Sequence, residues 1–166
     1  MASLLPERIT TVYEPTPGIG NLVRACEERG FDVYAESNFF DRDKNKHFDA
    51  VIGNPPFSKK YAFGMPEFLN KHGMRLGYHI LTECLQISDI TIALMPWFTI
   101  SDSDKRLRAL KNYGLKSLTA LPRKTFEYAR IQTVVIELVK GYKEETLFKV
   151  YDAISSSTAE QILINY

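Results

Sequence analysis

The stretch Phe48-Asp49-Ala50-Val51-Ile52-Gly53-Asn54-Pro55-Pro56-Phe57 joins an apolar, β-branched run to a loop stiffened by two prolines. The first six residues have the character of a buried strand that ends at a glycine. The last four therefore form a strand-end loop. Two prolines fix two φ angles, remove two backbone donors and push the preceding residue out of the helical region, so Asn54 is held extended. Its side-chain oxygen is one acceptor and the Pro55 carbonyl is a second, with no amide hydrogen beside it. Two convergent acceptors suit an NH2 group, and Phe57 offers a flat apolar face to a ring that carries one. An ordinary proline-stiffened turn is the alternative.

A chain of 166 residues is the size of one domain and can bury a sizeable core. With 45% hydrophobic and 25% charged residues it belongs with globular chains, not with disordered or fibrous ones. The net charge of +1 excludes a strongly basic chain, so contact with nucleic acid needs a local patch or a partner. Cys26 and Cys84 fall in helical patterns and suit buried free thiols in a reducing compartment. The amino terminus lacks a basic region followed by an apolar run, and no stretch approaches membrane-spanning length. The expectation is a single domain over 1–166, cytoplasmic, without a membrane partner.

Upstream of the proline loop, Ile9 to Tyr13 predicts a strand, and Glu14-Pro15-Thr16-Pro17-Gly18-Ile19-Gly20 breaks it. Leu22, Val23, Ala25 and Cys26 then recur at helical spacing until Gly30. Strand, glycine loop and helix in succession let a ligand approach the backbone closely, although a tight turn has the same look. Phe31 to Ala35 predicts a second strand closed by Glu36, placed where doubly wound folds hold a ribose; a plain exposed carboxylate is the alternative. Asn38-Phe39-Phe40-Asp41 and a charged run to Lys46 follow.

Downstream, residues 58–77 carry Lys59, Lys60, Lys71, His72 and Arg75 among Tyr61, Phe63 and Phe68, with a short helix near Pro66 to Asn70. Such a loop suits a nucleic-acid-binding lid, or is simply solvated. His72 and His79 have no partners at metal-ligand spacing, so no metal site is expected. A helix over Tyr78 to Ile87, a doubly buried strand over Ile90 to Met95 and a helix over Ser101 to Tyr113 come next, the last capped by Ser101 or Asp102 with Leu107 and Leu110 inward. Leu115 to Leu121, Ile131 to Val139 and Thr146 to Tyr151 complete the strands, and Ser155 to Ser157 begins a loose tail. The pattern predicts an α/β, doubly wound, mostly parallel sheet with an antiparallel edge strand.

Glycine loop, acidic strand end and Asn-Pro-Pro-Phe, in this order on successive strand ends, resemble the S-adenosylmethionine-dependent DNA methyltransferases that modify the N6 amine of adenine. Glu14 to Leu22 is similar to their cofactor loop, and Asn54-Pro55-Pro56-Phe57 to their catalytic tetrapeptide. Leu94-Met95-Pro96, Arg106 to Tyr113, Leu121-Pro122, Phe126 and Gln132 to Val135 with Lys140 extend the likeness over about residues 9–140. The order resembles that of modification subunits of restriction systems. The resemblance implies a Rossmann-like class I methyltransferase fold, with S-adenosyl-L-methionine held by Glu14, Pro15, Thr16, Gly18, Gly20, Glu36 and Asn38. It implies catalysis by Asn54, Pro55, Pro56 and Phe57, and DNA binding by Phe57, Lys59, Lys60 and Phe126.

Two departures accompany the likeness. The family usually has a further element before the cofactor strand, where about a dozen residues stand here, and residues 36–38 are compressed, with Asn38 where an aspartate is usual. No separate target-recognition domain is expected, so target choice would fall to a specificity subunit or a second copy. An adenine amine is a poor nucleophile, and accepting hydrogen bonds from both its hydrogens favours the pyramidal form that attacks the methyl group. The base must be flipped or single stranded. An RNA adenine, a glutamine amide, or a catalytically silent subunit that binds nucleic acid or a partner are the alternatives.

Overall fold

The strand expected over Phe48 to Gly53 forms with those bounds and lies inside the sheet. The computed structural model describes residues 1–57, 76–122, 125 and 131–151. β3 (Phe48–Gly53) pairs in parallel with β1 (Thr11–Tyr13) on one side and β4 (Ser88–Pro96) on the other. β2 (Asp32–Tyr34) lies outside β1, while β6 (Thr133–Val139), β5 (Leu115–Ala120) and β7 (Leu147–Val150) continue beyond β4. The order is β2-β1-β3-β4-β6-β5-β7. The short helix near Pro66 to Asn70, the basic and aromatic residues of 58–75, Phe126 and the tail after Tyr151 lie outside the described residues.

The antiparallel strand is not at the edge. β6 runs antiparallel to both β4 and β5, and β7 is parallel to β5, so β6 sits between two strands of the opposite direction. The chain leaves β5 and enters β6 at the same end of the sheet, which obliges β6 to run back through the gap. Six of its seven residues are buried, Thr133 and Glu137 among them, as a strand covered on both faces requires. At the true edge, all four β7 residues are exposed.

Helices cover both faces. α1 (Asn21–Glu27) and the amino-terminal turn pack Leu5 and Cys26 against Val12, Ala50, Ile52 and Ile92. On the other face α2 (Leu76–Cys84) packs Ile80 and Cys84 with Tyr13, Phe48 and Val51. Farther along, α4 (Asp104–Tyr113) lays Leu110 on Leu115, Val134, Ile136 and Leu138.

The start of α4 differs from expectation. Residues Ser101 and Asp102 belong to the end of a short helix, α3 (Phe98–Ser101), that local periodicity does not reveal. Ser103 is the cap, its side chain accepting from the Arg106 amide at 3.3 Å. Leu107 is 36% exposed where Leu110 is 1% exposed, so the inward stripe is narrower than the sequence suggests. Tyr113 completes it by donating its hydroxyl to the carbonyls of Ser88 (2.9 Å) and Leu85 (3.2 Å).

Candidate active site

In a doubly wound sheet, ligands bind beyond the carboxyl ends of the strands, where the strand order reverses. Here that point lies between β1, whose next strand β2 is on one side, and β3, from which the chain proceeds to the other. A cavity of about 300 Å³ occupies it. Pro15 to Gly18 come from the end of β1, Ser37 to Phe40 from beyond β2, Asn54 and Pro56 from beyond β3, and Leu76 and Ile80 from α2.

Two glycines let these segments meet. A Cβ on Gly53 would stand 3.0 Å from Pro15 Cγ and 3.4 Å from Glu14 Oε1, so a side chain there would push the β1 loop away from β3. On Gly77 a Cβ would stand 3.0 Å from the Pro56 carbonyl oxygen, so the proline loop lies directly on α2. The proline pair is thus clamped from below, with Pro55 buried and Asn54 exposed at the mouth.

Polar groups beneath the cavity are short of partners. Glu14 is 1% exposed and Oε1 accepts from the Thr16 amide (2.9 Å) and hydroxyl (3.2 Å). Burial outweighs those bonds and pushes its carboxyl up to about 7. Tyr13 Oη and Glu36 Oε2 are buried and lie close to each other, with no hydrogen bond of full geometry to either among the described residues. Burial first, then the nearby Glu36 carboxylate, raises the Tyr13 phenol above its ordinary value. The Tyr13 phenol and the Glu36 carboxylate therefore stand together behind the cavity, at the ends of β1 and β2.

The far wall is aromatic. Asn38 accepts from the Phe40 amide at 3.2 Å and its amide nitrogen donates to Asp41 at 3.1 Å, which fixes the turn Phe39–Asp41. Phe39 is 5% exposed and meets Phe40 edge to face. Phe40 stacks on His79 of α2, with centroids 6.3 Å apart, and burial lowers the His79 imidazole from its ordinary value.

Of the residues expected to hold a ligand, Pro15, Thr16, Gly18, Asn38, Asn54 and Pro56 line the cavity together. Glu14, Glu36, Gly20 and Pro55 support it from behind without lining it. Gly20 caps α1 at φ +80°, a conformation that a β-branched residue resists. Phe57 is half-buried and faces a second, much smaller hollow shared with Tyr78, Pro96, Phe98 and Arg106. Lys59, Lys60 and Phe126 lie outside the described residues. Sequence reasoning passed over Phe39, Phe40, Leu76 and Ile80 as wall residues. The Phe-Phe pair set in a charged stretch is the one signal that could have found them.

No protein-family model and no curated protein sequence matches the chain. Solved structures do. A methyltransferase subunit of a type I restriction-modification system from Streptococcus thermophilus superposes with a TM-score of 0.67 at 17% identity, over 99% of this chain and 50% of that one. A protein of Listeria monocytogenes described as a class I S-adenosylmethionine-dependent methyltransferase gives 0.69 at 15% identity, over 99% and 67%. A protein of Pyrococcus horikoshii described as an RNA methyltransferase gives 0.56 at 16% identity, over 84% and 78%. The chain therefore has the class I methyltransferase fold, and it spans half the length of the Streptococcus chain.

Proposed function

We propose that this chain is an S-adenosylmethionine-dependent methyltransferase that modifies the exocyclic N6 amine of adenine in DNA. The observation that carries this reading is the cavity itself, on which Asn54 and Pro56 face the glycine loop after β1 across the switch point. Its volume of about 300 Å³ is at the lower end of the usual range for small-ligand pockets and suits a nucleoside. The residues present fit the cofactor: Phe39 and Phe40 supply an apolar wall for a purine, and Thr16, Ser37 and Asn38 line the same cavity with polar side chains that can meet a ribose. When bound, S-adenosylmethionine supplies an electrophilic methyl group.

The chain's own residues then act on the amine. Asn54, exposed at the mouth, accepts a hydrogen bond from one amine N–H on its side-chain oxygen, and the carbonyl of the buried Pro55 accepts a hydrogen bond from the other. Two hydrogen bonds from the amine stabilise its pyramidal form as it attacks, the rigid proline pair keeps the two acceptors from reorganising, and the methylated nitrogen, now acidic, gives up one proton to water. Phe57 offers a face to the ring of a flipped or single-stranded base. Contact of Lys59, Lys60 and Phe126 with DNA, and target choice by a partner subunit or a second copy, belong to the same proposal.

The test is transfer of tritiated methyl groups to duplex DNA, single-stranded DNA, RNA and total protein in parallel, followed by digestion to nucleosides and amino acids. The expected product is N6-methyldeoxyadenosine. Label on RNA adenine or on glutamine reassigns the acceptor, and no label in any arm, with cofactor bound, points to a silent subunit.

A further inference from the structure

The two walls of the cavity that face each other across its aromatic side belong to elements with no strand pairing between them. One is the segment from Ser37 to Phe40 and the other is α2, through Leu76 and Ile80. Arg42 ties them together. Its side chain is 4% exposed, and Nη2 meets Glu83 Oε2 of α2 at 2.8 Å. From the same guanidinium Nη1 donates to the Phe39 carbonyl at 3.1 Å, and Cζ lies 3.8 Å from the centre of the Phe39 ring. One planar group therefore holds the backbone and ring of a wall residue and anchors both to the helix opposite. Glu83 stands one turn beyond Ile80 on α2, so the tie reaches the helix one turn past the cavity wall.

Water reaches the pair only from the Glu83 side, which is 38% exposed against 4% for Arg42, and that screening limits what the pair adds to stability. Its geometry points to another use. The fork of an arginine can serve two acceptors at once and stack on a ring, which a lysine cannot do. A wall fixed at one separation does not have to be ordered when a ligand enters, and that saving appears as affinity.

We propose that Arg42 and Glu83 are positioning residues that set the width of the cavity for a purine nucleoside ligand. The inference rests on the cofactor reading above. If the untied wall spends about a tenth of its time at the binding width, the dissociation constant rises about tenfold while the bound geometry is unchanged. The KM for cofactor then rises and kcat at saturating cofactor holds.

The experiment uses the full chain and S-adenosylhomocysteine, which binds without reacting, in calorimetric titrations. Arg42→Lys keeps the charge but loses the fork, and is expected to weaken binding about tenfold. Glu83→Gln keeps an acceptor without its charge and is expected to weaken it about threefold. Arg42→Met is the harsher variant, and the two conservative ones decide the matter if it fails to fold. Thermal melting of each variant reports structural damage separately. Dissociation constants equal to the unmutated value in Arg42→Lys and Glu83→Gln, whatever their melting temperatures, overturn the proposal while leaving the cofactor reading intact. Absence of binding by the unmutated chain contradicts the cofactor reading and this inference with it.

Discussion

Two buried carboxylates, on strands of the same sheet, are treated in opposite ways. Glu137 of β6 is 4% exposed and both its oxygens are bonded, Oε1 to Lys116 and Oε2 to Ser117, each at 2.7 Å. Glu14, just past the end of β1, is 1% exposed and takes only the two Thr16 donors, both on one oxygen. The carboxylate on β6 is paired on both oxygens, and the one beyond β1 is paired on one. An under-paired buried carboxylate is costly to a fold, and this one stands directly behind the cavity at the switch point, where a local rule is broken in favour of a site.

The contrast is broken most severely at the cavity mouth. Asn54→Ala removes an acceptor that acts on the amine alone, so methyl transfer should fall by about 100- to 1,000-fold while affinity for S-adenosylhomocysteine holds. Tritium transfer and calorimetry on one preparation read both. Transfer at the unmutated rate would remove Asn54 from the mechanism.

Glu14 provides the next test, through pH. Unfolded, the carboxyl releases its proton near 4.5, whereas folded it holds it up to about 7. The folded chain therefore binds the extra proton between those values, and stability falls as pH rises through the window, by roughly 3 kcal/mol in all. The contribution of Glu14 is most favourable below about pH 4.5 and reaches its full cost above about pH 7. His79, lowered by burial, acts in the opposite sense and takes stability away as pH falls below its unfolded value of 6.5. Glu14→Gln retains an oxygen for the Thr16 donors and should remove only the Glu14 part. Urea unfolding at pH 5 and pH 8 should show the mutant gaining, relative to the unmutated chain, as pH rises. Equal pH dependence in the two proteins would mean that Glu14 ionises normally.

At the satisfied end the effect should be smaller and purely structural. Glu137→Ala leaves Ser117 without its acceptor, while Lys116, 41% exposed, can turn toward water. A loss of about 2 kcal/mol in unfolding free energy is expected, with no change in ligand affinity. An altered affinity would mean that the two ends are coupled.

How far this division was visible beforehand depends on the range of the interactions that make it. The β3 strand and its proline loop were legible to the residue because proline, glycine and β-branched side chains act locally. So was the glycine loop, whose two glycines take the left-handed conformations that favour them. The place of β6 inside the sheet was not legible, since a buried run has the same look at any interior position. Leu107 looked inward because its spacing to Leu110 fits a stripe, but burial depends on what the helix meets. The aromatic wall and its tie were hidden for the same reason. Arg42 and Glu83 are 41 residues apart, and nothing local says that a charged turn will fold against a helix.

The central claim is that the β1–β3 switch point binds an adenosyl ligand, and calorimetric titration of S-adenosylmethionine into the unmutated chain tests it most directly. One saturable site per chain, with a thermal shift that grows with ligand concentration, is the expected result. Neither heat nor shift at millimolar ligand, in a chain shown to be folded, would contradict it.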